Sequence, residues 1–137
     1  MPSSPSANTR DQAPSLDGKV IVLLEDDELV RRATERMLTR FGAVVITGAS
    51  SAEVLAAISD RKLTPSCVIA DYWLSHDEDG LTAARVVREA AGSPVQGLIV
   101  TGDLSDEVAS NVAEAGFRLL RKPVNVDSFL DAISINS

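Results

Sequence analysis

Two apolar patterns take turns along the chain. Val20-Ile21-Val22-Leu23-Leu24 is an unbroken aliphatic run, the texture of a strand buried on both faces. Directly beyond it, Val30, Ala33, Met37, Leu38 and Phe41 recur at helical spacing, with Arg31, Arg32, Arg36 and Arg40 largely off that stripe and Gly42 placed as a stop. The pair then repeats. Residues 43–49 read as a strand and 50–60 as a helix opening on a capping box, Ser50 with Glu53 three positions on. Residues 66–71 form a third strand with a helix over 81–91, residues 95–101 a fourth with a helix over 104–116, and residues 117–122 a fifth with a last helix over 125–135. Strands separated by helices and short links pair in parallel through right-handed crossovers. The predicted fold class is α/β, a doubly wound five-stranded parallel sheet with five helices divided between its faces.

A chain of 137 residues with 45% apolar content has material for one core and not for two. Residues 1–18 are rich in Ser, Pro, Asn and Gln, with few large apolar side chains to offset the entropy of ordering, and read as a disordered arm or linker before a domain over 19–137. The formal charge is −7, from 20 acids against 13 bases. Phosphate neutralisation needs a concentrated basic face, and none with interleaved aromatics occurs, which argues against nucleic acid as a partner. Cys67 is the only cysteine and lies in an apolar run, so it reads as a small buried hydrophobe in a reducing compartment. The opening residues hold no apolar core of signal-peptide length, and nowhere do 18 apolar residues run together. A soluble, cytoplasmic protein without membrane contact of its own is expected.

In an open α/β sheet, ligands bind outside the carboxyl ends of the strands, where strand order reverses. The first strand ends on Glu25-Asp26-Asp27, the third on Asp71, the fourth on Thr101 with Gly102-Asp103 after it, and the fifth on Lys122-Pro123. The second ends on Thr47-Gly48-Ala49, which brings no such chemistry. Carboxylates that converge repel one another unless a cation lies between them, and an all-oxygen site suits Mg²⁺ or Mn²⁺. A lysine and a threonine beside that cation offer a positive charge and a hydroxyl to the oxygens of a phosphoryl group.

Four short motifs, "VLLEDD", "VIAD", "LIVTG" and "RKP", stand in this order at four strand ends. Together they resemble the response-regulator receivers, the phosphoacceptor modules of two-component signalling, over about residues 19–135. The resemblance implies a flavodoxin-like (βα)5 fold. It also implies that Asp71 is the phosphoacceptor, that Asp26 and Asp71 bind Mg²⁺ directly, that Trp73 adds its backbone carbonyl, and that Glu25 acts through water. Lys122 and Thr101 would serve the transferring phosphoryl group, and the Lys122-Pro123 bond would be cis. The donor would be a phosphohistidine on a histidine kinase or histidine phosphotransfer protein, and the first helix would border the docking site. Such a module is no enzyme in the usual sense, since it assists only its own phosphorylation and dephosphorylation. "EDDELVRR", "ADYWL", "VTGD" and "RLLRKPV" look most like receivers at the C-terminus of hybrid histidine kinases.

Two departures accompany the matches. The family usually has an aromatic three residues before the lysine; Leu119 stands there, with Phe117 two residues earlier. The loop after Asp71 reads Ser75-His76 where Pro-Gly is common, and is one residue longer than the commonest form.

Plainer readings apply to several neighbours. Asp27 and Glu28 are acids favoured at a helix N-terminus, and His76 beside Asp77, Glu78 and Asp79 reads as a solvated loop residue rather than a transition-metal ligand. Two other functions compete. A Mg²⁺-dependent phosphatase of haloacid-dehalogenase type shares the strand-end Asp, Thr and Lys, but needs a second Asp two residues after the first, where this chain has Trp73. A pseudo-receiver would keep the fold and act only as an interaction module.

Overall fold

The computed structural model describes residues 15–74, 78–92, 94–103 and 105–134. Five strands form one sheet: β1 Val20–Leu24, β2 Val44–Gly48, β3 Cys67–Asp71, β4 Gln96–Thr101 and β5 Arg118–Arg121. They alternate with α1 Glu28–Arg40, α2 Ser51–Arg61, α3 Gly80–Ala91, α4 Asp106–Glu114 and α5 Val126–Ser134. All pairings are parallel and the order is β2-β1-β3-β4-β5. The chain steps from β1 outward to β2, then crosses back to lay β3 on the other side of β1. That reversal opens the crevice in which such sheets bind ligands, and it lies where Glu25-Asp26 and Asp71 leave the sheet.

Alternation along each strand sends successive side chains to opposite faces. Val22, Leu24, Val68, Ala70 and Ile99 pack with Val54 of α2, Ala83, Ala84 and Val87 of α3, and Val108 and Val112 of α4. Ile21, Leu23, Ile69, Leu98 and Val100 pack on the other face with Leu38 of α1 and Phe129, Leu130 and Ile133 of α5. Many of these aliphatic side chains are fully buried, each stabilising the fold by about 1.5–3 kcal/mol relative to exposure.

Local sequence explains most helix starts. Asp27 caps α1, its Oδ1 accepting from the Val30 N–H at 3.1 Å. Ser50 and Glu53 form the reciprocal box at α2: Ser50 Oγ accepts from the Glu53 N–H at 3.2 Å, and Glu53 Oε1 from the Ala49 N–H at 3.0 Å. Asp79 caps α3 by accepting from the Thr82 N–H at 2.7 Å, and Ser105 caps α4.

The boundary drawn at residue 19 needs correction. Leu16 is 0% exposed and packs in the α1/α5 face of the core. Its N–H donates to the Phe41 carbonyl at 2.8 Å, and its own carbonyl accepts from the Lys19 N–H at 3.0 Å. Gly42 makes room for this segment: it has φ +103°, and a Cβ there would lie 1.8 Å from Asp17 Oδ1. One apolar side chain in a polar stretch has no period to betray it, which is why the sequence pattern places Leu16 in the arm; residues 1–14 lie outside the described residues. Among the described residues no helix is long and apolar enough to cross a membrane.

Candidate functional site

The site begins where the chain leaves β3 at Tyr72. The Tyr72 N–H donates to the Val100 carbonyl at 2.9 Å, and the Gly80 N–H donates to the Tyr72 carbonyl at 2.8 Å. The first turn of α3 is thereby pressed against the acceptor strand so closely that a Cβ on Gly80 would sit 1.7 Å from the Asp71 carbonyl oxygen. Asp71 itself is 9% exposed. Its Oδ1 accepts from the Trp73 N–H at 3.1 Å, and its Oδ2 is ion-paired and hydrogen-bonded to Lys122 Nζ.

Lys122 reaches this carboxylate from the far side of β4. Its N–H donates to the Thr101 carbonyl at 3.0 Å, continuing the register in which Thr101 lies opposite Arg121. The Lys122-Pro123 bond is cis, as the family likeness implied. Desolvation alone would lower the pKa of the Lys122 ammonium; the bond to Asp71 and the charges of Asp71, Glu25 and Asp26 together outweigh it and hold the pKa above the ordinary lysine value.

Glu25 is 8% exposed. Burial pushes its carboxyl pKa up; the Asp27 N–H, which donates to Oε2 at 3.2 Å, opposes that, while the charge of Asp71 adds to it. Asp26 is exposed. Thr101 is 1% exposed, and its Oγ1 accepts from the Asp103 N–H at 3.0 Å. The Asp103 carboxyl is held below the ordinary range, first by the Ser105 N–H, then by the Ser105 hydroxyl and, more weakly, the Trp73 side chain, with slight desolvation opposing them. The indole of Trp73 is 61% exposed beside the site. Thus Glu25, Asp26, Asp71 and Lys122 share one electrostatic neighbourhood at the switch point, with Thr101 on the adjoining strand.

The residues fit a hard divalent cation of the Mg²⁺ kind. Such an ion keeps several waters and needs only one or two carboxylates from the protein. Like charges gather here, since Asp71 and Asp26 both raise the pKa of Glu25. Among the described residues no group of three or more His, Cys, Asp or Glu side chains is arranged to hold a metal ion. Carboxylate oxygens are donors for a hard ion and do not suit a soft transition metal.

Several contacts escaped sequence reasoning. Arg31, assigned to the wet side of α1, donates from Nη1 to the Glu25 carbonyl at 2.8 Å. Glu78 accepts from the Ser51 N–H at 3.0 Å and the Ser51 hydroxyl at 2.5 Å, stapling the loop after β3 to the start of α2. His76 and Asp77 lie outside the described residues. Burial pushes the pKa of the Cys67 thiol up to about 12, which leaves it inert. A cavity of about 490 Å³ opens between α1 and the β5–α5 link, walled by Val30, Thr34, Val124 and Phe129, and reaches Asp71 and Lys122.

A family model described as "Response regulator receiver domain" matches residues 21–134. The chain belongs to this family. The receiver is 29% identical over 123 residues to "Sensor protein TorS" of Escherichia coli, a match covering 89% of this chain and 13% of TorS. It is 26% identical over 119 residues to "Protein PilG" of Pseudomonas aeruginosa, covering 85% of this chain and 86% of PilG. This receiver therefore spans about an eighth of one relative and most of the other. Its fold also matches a response regulator structure from Burkholderia pseudomallei with a phosphorylated aspartic acid, calcium ion and citrate (TM-score 0.74, 24% identity, 86% of this chain and 68% of that one).

Proposed function

We propose that this receiver takes a phosphoryl group from a phosphohistidine onto Asp71 within a two-component phosphorelay, and signals through protein contacts. The carrying observation is the buried Asp71 carboxylate at the switch point of the sheet, with the Lys122 ammonium bonded to one of its oxygens. The phosphorylated aspartic acid of the Burkholderia pseudomallei relative supports this reading.

In the proposed reaction an Asp71 carboxylate oxygen attacks phosphorus in line, the new O–P bond forming as the P–N bond to the donor imidazole breaks. The leaving imidazole nitrogen takes up a proton and departs neutral. Bound at Asp26, Asp71 and the Trp73 carbonyl, with Glu25 acting through water, Mg²⁺ (or Mn²⁺) would supply positive charge to the phosphoryl oxygens. Lys122 exchanges part of its hold on Asp71 for a phosphoryl oxygen. Thr101, whose hydroxyl now accepts from the Asp103 N–H, turns to donate to another. The backbone bonds of Tyr72 to Val100 and Gly80 keep Asp71 aimed throughout. The partner is a histidine kinase or histidine phosphotransfer protein, met in the cytoplasm, and the module turns over no other substrate.

Intact-mass spectrometry after incubation with acetyl phosphate and Mg²⁺, beside the Asp71→Asn variant, tests the proposal. A gain of one phosphoryl group by the parent and none by the variant is expected. Equal labelling of both would place the acceptor elsewhere.

A further inference from the structure

Asp71 is followed at once by Tyr72 and Trp73, and the Tyr72 side chain reaches toward the segment beyond β4. Tyr72 is 8% exposed and packs in the same core face as Val108 and Val112 of α4. Its hydroxyl accepts a hydrogen bond from Asn111 Nδ2, in the middle of α4, at 3.3 Å. Trp73 meets the Tyr72 ring edge-on, with centroids 4.9 Å apart. Asp103 gives its N–H to Thr101 Oγ1, and its carboxylate accepts from the N–H of Ser105, the cap of α4, at 2.9 Å. Contacts thus lead from Asp71 through Tyr72 to the middle of α4, and from Thr101 through Asp103 to its start.

Only one end of this set is free to move. The Tyr72 backbone is held on both sides, by Val100 and by Gly80. By contrast α4 buries only Val108 and Val112 along its length, whereas α3 buries Gly80, Ala83, Ala84 and Val87. A helix attached by two valines lies toward the low end of local stability, where a single side-chain hydrogen bond is a sizeable share of what holds it.

No aromatic of β5 competes for this task. Leu119 is half-buried and carries no polar group. Phe117 lies against Gly97, with the Arg88 guanidinium 3.9 Å over its ring. Gly97 precedes Thr101 by four residues, roughly 13 Å along a strand.

We infer, resting on the phosphoacceptor reading of Asp71, that the Tyr72–Asn111 hydrogen bond is the latch that seats α4 in the unphosphorylated protein and opens on phosphorylation. When the Thr101 hydroxyl turns to a phosphoryl oxygen, the Asp103 N–H loses its acceptor. The loop carrying Asp103 and Ser105 then shifts, and α4 draws Asn111 away from a hydroxyl that cannot follow. Asn111 also lines a hollow of about 310 Å³ with Leu81, Arg85 and Glu114, so release reshapes the surface between α3 and α4 that an output partner would read.

Hydrogen exchange of the full chain, read over residues 106–114 by mass spectrometry with and without acetyl phosphate and Mg²⁺, tests the latch. Tyr72→Phe keeps the ring in the core and removes only the hydroxyl, and Asn111→Ala removes the exposed partner. Without phosphate, both variants should exchange α4 amides about five-fold faster than the parent, the size of one net hydrogen bond, with α3 unchanged. The phosphorylated parent should match them, and neither variant should change further on phosphorylation. A full phosphoryl mass gain with α4 exchange unmoved, or variants that respond as the parent does, would overturn the latch alone. No mass gain by the parent would overturn the phosphoacceptor reading and the latch together. Should Tyr72→Phe loosen the whole sheet, Asn111→Ala decides.

Discussion

The Lys122 ammonium is paired with Asp71 Oδ2 across the carboxyl edge of the sheet, although β4 separates β3, which ends on Asp71, from β5, which Lys122 follows. The lysine side chain remains 43% exposed and the aspartate 10%. A pair so open on one side contributes at most about 1 kcal/mol to stability. In the proposed reaction its value is in placing a positive charge where the phosphoryl group would arrive.

Replacing Lys122 should therefore separate folding from chemistry. Lys122→Ala is expected to change unfolding free energy by less than ~1 kcal/mol, while slowing acetyl-phosphate labelling of Asp71 about a hundredfold or more, the usual cost of removing one preorganised charge donor. Urea unfolding and the labelling time course check the two halves, and a labelling rate equal to that of the parent would remove Lys122 from the reaction.

Glu25 should leave a mark on the pH dependence of stability. Burial first, then Asp71 and Asp26, raise its folded pKa above the ordinary 4.5, with Asp27 and Lys122 opposing. A carboxyl raised on folding favours the fold when protonated. That contribution is complete below the unfolded value and is lost as pH climbs through the folded one. Glu25→Gln should accordingly be more stable than the parent at pH 7 in the absence of metal, with the difference vanishing below about pH 4. Denaturant midpoints across that range measure it; a variant less stable at pH 7 would mean that its hydrogen bonds outweigh the cost of burying charge.

Metal binding should show as stabilisation by mass action. At a Mg²⁺ concentration a hundred times its dissociation constant, the parent should gain about 2.7 kcal/mol, and Asp26→Asn should lose most of that gain. Thermal unfolding with and without Mg²⁺ reads this directly, and an equal gain in both proteins would place the ion elsewhere.

Leu16 should matter as much as a residue of the central strands. Leu16→Ala deletes a fully buried side chain and is expected to cost about 2–5 kcal/mol. Urea unfolding of that variant, beside a truncation that starts at residue 19, tests whether the segment belongs to the fold; a cost below 0.5 kcal/mol, roughly the level of a surface change, would return it to the arm.

What the amino-acid order determined by itself was whatever repeats or is signalled within a few residues. The aliphatic run of β1, the Ser50–Glu53 box and the Asp27 cap depend on periods of two or 3.6 residues and on neighbours three apart, and all stand where the pattern put them; of the α1 stripe Leu38 is buried and Met37 and Phe41 half-buried, while Val30 and Ala33 are exposed. The polar strand ends were legible for the same reason: Asp71 and Thr101 close strands and Lys122 follows one, and a parallel sheet sends all its carboxyl ends to one edge. Only the tertiary structure decided the contacts that join distant segments. Glu78 meets Ser51 across 27 residues and Asn111 meets Tyr72 across 39, while Arg31 turns back to the Glu25 carbonyl. Leu16 is buried because Phe41 and Gly42 lie beside it. None of these pairs has a spacing that local geometry dictates; each exists because the crossovers and the strand order bring its members within reach, and that order is a property of the packed sheet rather than of any stretch of chain.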